Sequence, residues 1–316
     1  MNNHIPTISK ATAERIKQSY IIFKDSYWSV LKASGPTIRE YLQGQITQDM
    51  DKLGARQAIH SALLSPQGKA VSVVYILSGH HDELILLTPT SHAVETVARL
   101  RQFALGHQLR IGVVDSLAVA AVYGTHAADG LKNFGLTAPD TNWLSQSSKA
   151  GEDSFAIAMQ HSPNAYWAIT ATTAIDKSSH HQTTTDELEA LRIQHGFPQF
   201  GMEWDERLHP LNANLVEFDG VDFKKGCYVG QEVTSRMHWR GGIKKKLYRV
   251  QLDAKPVELP CPIRSSANIG ELKSAAMDDN GICFGIALLP IEAIASDTKL
   301  TLENNTNITI LEACHA

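Results

Sequence analysis

The spacing of apolar residues changes period several times along the chain, and each change predicts a change of element. Residues 1–19 are polar and aperiodic and read as a flexible arm. Strand signals follow at 20–23 and 28–32. Ser34, Gly35 and Pro36 then open a short helix in which Ile38, Tyr41 and Leu42 share a face and Gly44 is the stop. Residues 57–65 and 69–77 read as a β-hairpin around Pro66, Gln67 and Gly68, with a third strand at 83–87. A helix is expected from Thr90 or Ser91 to about Leu105, then strands at 110–114 and 117–123. Residues 124–151 turn to glycine, proline, asparagine and serine and read as a connector. Strands at 154–159 and 166–169 and a polar loop at 178–185 lead to a capping-box pattern, Thr184 with Glu187. This pattern opens a helix carrying Leu188, Leu191 and Ile193, which ends at Gly196 and Pro198. Residues 199–223 have little periodicity and read as a surface wrap. A short helix is expected at 231–237, and beyond it come short β-rich runs at 246–252, 263–265 and 282–288, with two more around Asn304 and Asn305.

Strands and single helices alternate without the regular rhythm of a parallel sheet, so the fold class is α+β with a small β-barrel at the C-terminal end. A chain of 316 residues suits two or three domains, and 43% hydrophobic with 20% charged residues is an ordinary soluble composition. A net charge of -4 gives no overall attraction to nucleic acid, so any anion site has to be local and direct nucleic-acid binding is not expected. Cysteines at 227, 261, 283 and 314 form neither a CxxC pair nor a zinc-type spacing, which argues against a disulfide framework and fits a reducing, cytoplasmic setting. The polar first twenty residues lack a secretory run, Glu14 argues against an organellar transit peptide, and no window reaches the length of a membrane span. The histidine pairs 80/81 and 180/181 fall in loops at spacings that do not match metal ligands, and read as surface residues.

The densest chemistry lies at 224–232: Lys224, Lys225, Gly226, Cys227, Tyr228, Val229, Gly230, Gln231 and Glu232. A thiol becomes nucleophilic or metal-binding as its thiolate, which nearby cations and a helix N-terminus favour. Gly226 and Gly230 permit positive φ or a close backbone approach, and Glu232 suits the positive end of the helix that follows. The alternative is that Cys227 is a small buried hydrophobe. Lys224, Lys225, Arg236, Arg240, Lys244, Lys245, Lys246 and Arg249 make a basic surround that could hold an anion, or, for Lys244 to Lys246, simply protect a strand edge.

The stretch from Lys225 to Glu232, followed by Arg236, Arg240 and Gly241, resembles the signature of the YgfZ family, which is related to the folate-dependent T-protein of the glycine cleavage system. Two further stretches carry the resemblance, Tyr41 to Thr47 and Leu191 to Gly201. It implies a three-domain ring, with residues 1–50 plus 145–238 as a discontinuous folate-binding domain, 51–144 inserted into it, and 239–316 as the barrel. It also implies a tetrahydrofolate-type ligand and a role in assembling or repairing iron-sulfur enzymes, including tRNA-modifying ones. Trp28 matches a tryptophan associated with folate binding, and Arg236 and Arg240 match residues of the same site. Leu188 stands where some members carry a second tryptophan, and Gln194 where the T-protein has its pterin-holding glutamate. The T-protein's catalytic aspartate position reads Ser72, which cannot stabilise a developing cation as a carboxylate does, so the aminomethyl transfer is expected to be absent.

A cluster takes four ligands, so Cys227 could only share one with an iron-sulfur carrier, a client enzyme or small thiols; Cys261, Cys283 and Cys314 read as core or incidental. The leading expectation is therefore a folate-binding accessory protein acting through Cys227. A tetrahydrofolate-dependent one-carbon transferase and an RNA-binding module are the alternatives.

Overall fold

A computed structural model describes residues 4–54, 56–81, 83–140, 144–159, 164–178, 184–294 and 299–315. The first part of the chain runs α1 (Lys10–Gln18), β1 (Ile21–Lys24), β2 (Trp28–Ser34), α2 (Ile38–Gln43), β3 (Ile59–Leu64), β4 (Ala70–Ser78), β5 (Leu84–Pro89), α3 (Ala93–Gln102) and β6 (Arg110–Val113). Then come β7 (Leu117–Tyr123), α4 (Ala127–Leu131), β8 (Gln146–Ser148), β9 (Phe155–Ala158), β10 (Ala165–Ala171), α5 (Thr172–Ser178), α6 (Thr185–Gln194) and α7 (Gln231–Trp239). The last part is strand-rich: β11 (Lys245–Leu252), β12 (Cys261–Arg264), β13 (Asn268–Met277), β14 (Cys283–Pro290), β15 (Leu300–Thr301) and β16 (Asn307–Ala313).

Two five-stranded sheets, in the orders β1-β7-β10-β9-β8 and β3-β4-β5-β2-β6, precede a closed barrel β11-β14-β13-β12-β15-β16. The class is α+β, with the expected barrel. Alternation along the strands explains the layering, because successive side chains face opposite sides of a sheet. Trp167 and Ile169 of β10 join Trp28 and Val30 of β2 in the core between the sheets. Tyr166 and Ala168 turn the other way, onto Ala127 and Leu131 of α4 and Ile175 of α5. On the outer face of the second sheet, Leu31 and Ala33 pack with α2 and α3 through Tyr41, Leu42, Val97 and Leu100.

Strand pairing cuts across the expected boundaries at 50 and 144. β2 already belongs to the second sheet, paired with β5 and β6, while β7 returns to the first beside β1 and β10. Three local expectations are corrected. The first nineteen residues are not a free arm among those described: Ser9 caps α1 by accepting from the Thr12 N–H, buried Glu187 of α6 accepts from the Ser9 N–H and the Thr12 hydroxyl, and Thr7 pairs with Met277 of the barrel. The connector at 124–151 contains α4 and β8. Residues 199–223 are not a surface wrap, because Phe200, Leu211, Ala213, Leu215 and Phe218 are buried in the central core. Side chains supply the partners that irregular backbone needs there. The Gln48 amide donates to the Asp219 carbonyl at 2.5 Å, and Thr47 Oγ1 to the Gly220 carbonyl at 2.5 Å.

Candidate functional site

The 224–232 signature forms a loop leading into α7, and its lysine explains the loop's shape. Lys225 is 8% exposed, and its ammonium donates to the carbonyls of Gln43, Ile46 and Gln48, each at 2.8 Å. Burial pulls this amine down to about 8, opposed by the Asp49 and Asp222 carboxylates, so it stays largely protonated at neutral pH. Three carbonyls use its three donors. The Val229 N–H donates to the Gly44 carbonyl at 3.2 Å, completing a clamp between two stretches nearly 180 residues apart.

Cys227 stands at the outside of this loop as an exposed free thiol, whereas Cys261, Cys283 and Cys314 are buried. Burial pushes the thiols of Cys261 and Cys283 up to about 11 and that of Cys314 higher still. Of the two lysines expected beside the Cys227 thiol, Lys225 is spent on backbone carbonyls and Lys224 is exposed. The two glycines also differ. Gly230 has φ 84° and no room for a side chain, a β-carbon there falling 2.6 Å from the Ser65 carbonyl oxygen. Gly226 lies outside the left-handed region, and a β-carbon would meet nothing within 4 Å, so neither the positive φ nor the close approach expected of these glycines holds there. Gln231 reaches back to the Gly226 carbonyl at 3.4 Å, and Tyr228 is buried with its phenol pushed up to about 12 by desolvation.

The basic residues do not form one anion cradle. Arg236 donates to Glu232 at 2.7 Å on the exposed face of α7, Lys246 pairs with Glu217, and Arg249 pairs with Glu312 at 2.9 Å. Arg240, Lys244 and Lys245 are exposed. Neither Arg236 nor Arg240 lines the two central cavities, and Gln194, half-buried at the end of α6, lines neither.

Those cavities adjoin, sharing Tyr27, Phe197 and Gln199. The narrower, about 20 Å³, is walled by aromatics, among them Trp28, His60 and Tyr75. Trp28 is 5% exposed and set edge-on to Tyr27, Tyr75 and Trp167 at 4.5–5.5 Å, and its buried indole N–H has no hydrogen-bond partner among the described residues. His60 stacks on Tyr75 at 4.6 Å and donates from Nδ1 to the Phe218 carbonyl at 2.9 Å; burial pulls it down to about 4, so it is neutral.

The wider cavity, about 200 Å³, holds Leu188 and two groups that sequence reasoning missed, Asp25 and Arg192. Asp25 sits in the turn between β1 and β2, 6% exposed, and burial pushes its carboxyl up to about 7 against the Tyr27 N–H and the Trp167 indole, which hydrogen-bond to it. Arg192 is 3% exposed and bonds Glu203 at 2.9 and 3.0 Å and Glu189 at 3.0 Å. Burial works against its charge, but the two carboxylates outweigh it. A sequence signal for Arg192 existed: an arginine between Leu191 and Ile193 on an apolar helix face needs a buried acid. Asp25, one acid in a turn, carried none.

Ser72 is fully buried and lines neither cavity; its hydroxyl lies 2.8 Å from that of Thr88. Of the loop histidines, His80 is half-buried, with Nε2 2.6 Å from the Glu152 carbonyl, and His81 is exposed; positions 180 and 181 lie outside the described residues. Among the described residues there is no cluster of three or more potential metal ligands, and no helix is long and apolar enough to cross a membrane.

Comparison with known proteins bears out the resemblance. No family model matches the chain. It is 27% identical over 289 residues to the tRNA-modifying protein YgfZ of Hamiltonella defensa subsp. Acyrthosiphon pisum, covering 89% of this chain and 81% of the relative. It is 25% identical over 313 residues to the YgfZ of Colwellia psychrerythraea, covering 92% and 94%. The fold is that of the glycine cleavage system aminomethyltransferase T from Bartonella henselae, with a TM-score of 0.82 at 14% identity over 99% of this chain and 90% of that one.

Proposed function

From a chain similar to the YgfZ proteins and folded as an aminomethyltransferase T, we propose a folate-binding accessory protein that supports iron-sulfur enzymes, including tRNA-modifying ones, through the Cys227 thiol. The observation that carries this reading is the contrast among the cysteines: Cys227 alone is exposed, on a loop locked from beneath by Lys225. One thiolate supplies one ligand of the four a cluster takes, so the cluster is cargo shared with a carrier, a client or small thiols.

The aromatic walls and polar groups of the two cavities fit a pterin ring. At about 200 Å³ the wider one is below the ~300–1,000 Å³ usual for drug-sized ligands, so it admits a ring and leaves a glutamyl tail outside. Folate would supply one-carbon chemistry; this chain's own residues would bind and shield the ring. The transferase alternative has less support, because Ser72 is sealed in the core and offers no charge to a reacting centre.

The test is complementation of a strain that depends on this protein. Cys227→Ala is expected to abolish support of an iron-sulfur tRNA-modifying enzyme while the protein accumulates normally. Full rescue by the variant overturns the thiol's role.

A further inference from the structure

The wider cavity contains a carboxyl group, Asp25, whose bonds from the Tyr27 N–H and the Trp167 indole leave part of its acceptor capacity unused. Asp25 is buried without an ion pair among the described residues, although Arg192 lines the same space, because the arginine is engaged by Glu189, Glu203 and the Phe197 carbonyl. A carboxylate hidden from water and uncompensated by a cation is costly to a fold. Its environment is otherwise that of a ring-binding slot: Tyr27, Trp167, Phe197 and Leu188 supply apolar walls, and exposed Thr185 and Met202, the latter 57% exposed, mark its mouth.

We propose that Asp25 is the recognition group of this cavity, accepting two parallel hydrogen bonds from the ring N–H and exocyclic amine of a 2-amino-4-oxo heterocycle. The assignment rests on the folate reading and deepens it, giving the pterin edge a carboxylate partner although Gln194 is an amide and lines neither cavity. Two N–H donors aligned with one carboxylate are the geometry in which charge-assisted bonds are strongest. Leu188 contributes an apolar wall from α6.

Binding is then linked to protonation, because the ionised carboxylate accepts both bonds and the protonated one does not. The groups facing Asp25 are Tyr27 and Tyr123, whose phenols burial holds neutral, and the Arg192, Glu189 and Glu203 ion cluster. With Asp25 near 7, affinity rises between pH 5.5 and 7.5.

The experiment titrates the full-length protein with 5-formyltetrahydrofolate, with pterin and with lumazine, whose 2-oxo group replaces the amine, following tryptophan fluorescence from pH 5.5 to 7.5. Wild type is expected to bind the first two, to reject lumazine and to tighten with pH. Asp25→Asn is expected to lose about 10- to 100-fold in affinity, the worth of hydrogen bonds to a charged group, and to show a flat pH profile. The comparison of pterin with lumazine tests the assignment in wild type alone, and a melting curve of Asp25→Asn shows whether its affinity is that of a folded protein. Unchanged affinity and pH dependence in Asp25→Asn overturn the role of Asp25 and leave the folate reading standing. Equal binding of pterin and lumazine by wild type overturns it in the same way, and no binding of either the folate or pterin to wild type overturns both.

Discussion

At the scale of single residues, the signature loop separates positions that do chemistry from positions that hold shape. Gly230 has φ 84° and a backbone oxygen 2.6 Å from any added β-carbon, so Gly230→Ala combines left-handed strain with a clash and is expected to cost at least about 2 kcal/mol in urea unfolding. Gly226→Ala meets nothing and is expected to stay within about 0.5 kcal/mol. Lys225→Met keeps the buried stem but strands three carbonyls, and a loss of about 3 kcal/mol or more is expected by the same measurement. The sequence made this loop legible as a place, because lysines, glycines and a cysteine crowd into nine residues. It could not distribute the roles. Both glycines look alike in sequence, and nothing near Lys225 says that its amine turns inward to residues 43–48 and away from the thiol beside it.

At the scale of elements, periodicity served where one face of an element is buried and failed where both or neither are. The helix over Leu188, Leu191 and Ile193 was legible from its capping box, and Thr184 does accept from the Glu187 N–H. β13 carries no clean strand period because a bulge between Leu272 and Ser274 shifts the register, so its buried residues Leu272, Ala275 and Ala276 fall out of step along the strand. Residues 199–223 were misread because irregular backbone has no period, although its apolar residues fill the core. The turn between β1 and β2 was silent for the same reason, yet it places Asp25. Its proton has a consequence for folding. The folded value of about 7 lies above the ordinary 3.8, so between those limits the folded protein holds a proton that the unfolded chain has released. Stability from this group therefore falls as pH rises from about 4 to 7 and is level above. Asp25→Asn removes the slope. The variant's melting temperature relative to wild type is expected to increase from pH 5 to pH 7.5, by an amount worth up to about 3 kcal/mol, each tenfold difference in proton affinity being worth ~1.4 kcal/mol. His60, pulled the other way by burial, contributes equally to both proteins and cancels in the difference.

At the scale of the whole molecule, the barrel has its own interior, with Val250, Ile263, Leu272 and Leu289 fully buried, while Leu247, Ala276, Ile286 and Cys314 join the central core and a few polar groups complete its attachment to the two-sheet body. Asn214 is the most concentrated of these. It is fully buried at φ 64°, its amide donates to the Leu247 carbonyl at 2.9 Å and the Cys314 carbonyl at 2.7 Å, and its side-chain oxygen accepts from the Leu247 N–H at 2.8 Å. One side chain thus fastens β11 to the end of the chain and both to the core segment at 199–223. Asparagine tolerates the left-handed backbone that alanine resists. Asn214→Ala gives up three buried hydrogen bonds as well as that tolerance, and a loss of about 3–5 kcal/mol is expected. Because the barrel retains its own core, the loss should appear as uncoupling: a single urea transition in wild type becoming two, with amide exchange at Leu247 and Cys314 accelerating before that of the inter-sheet core. A single transition that merely shifts to lower urea would mean that the barrel and the body remain one cooperative unit through the Thr7–Met277 pairing and the packing of α6 on β13 and β14.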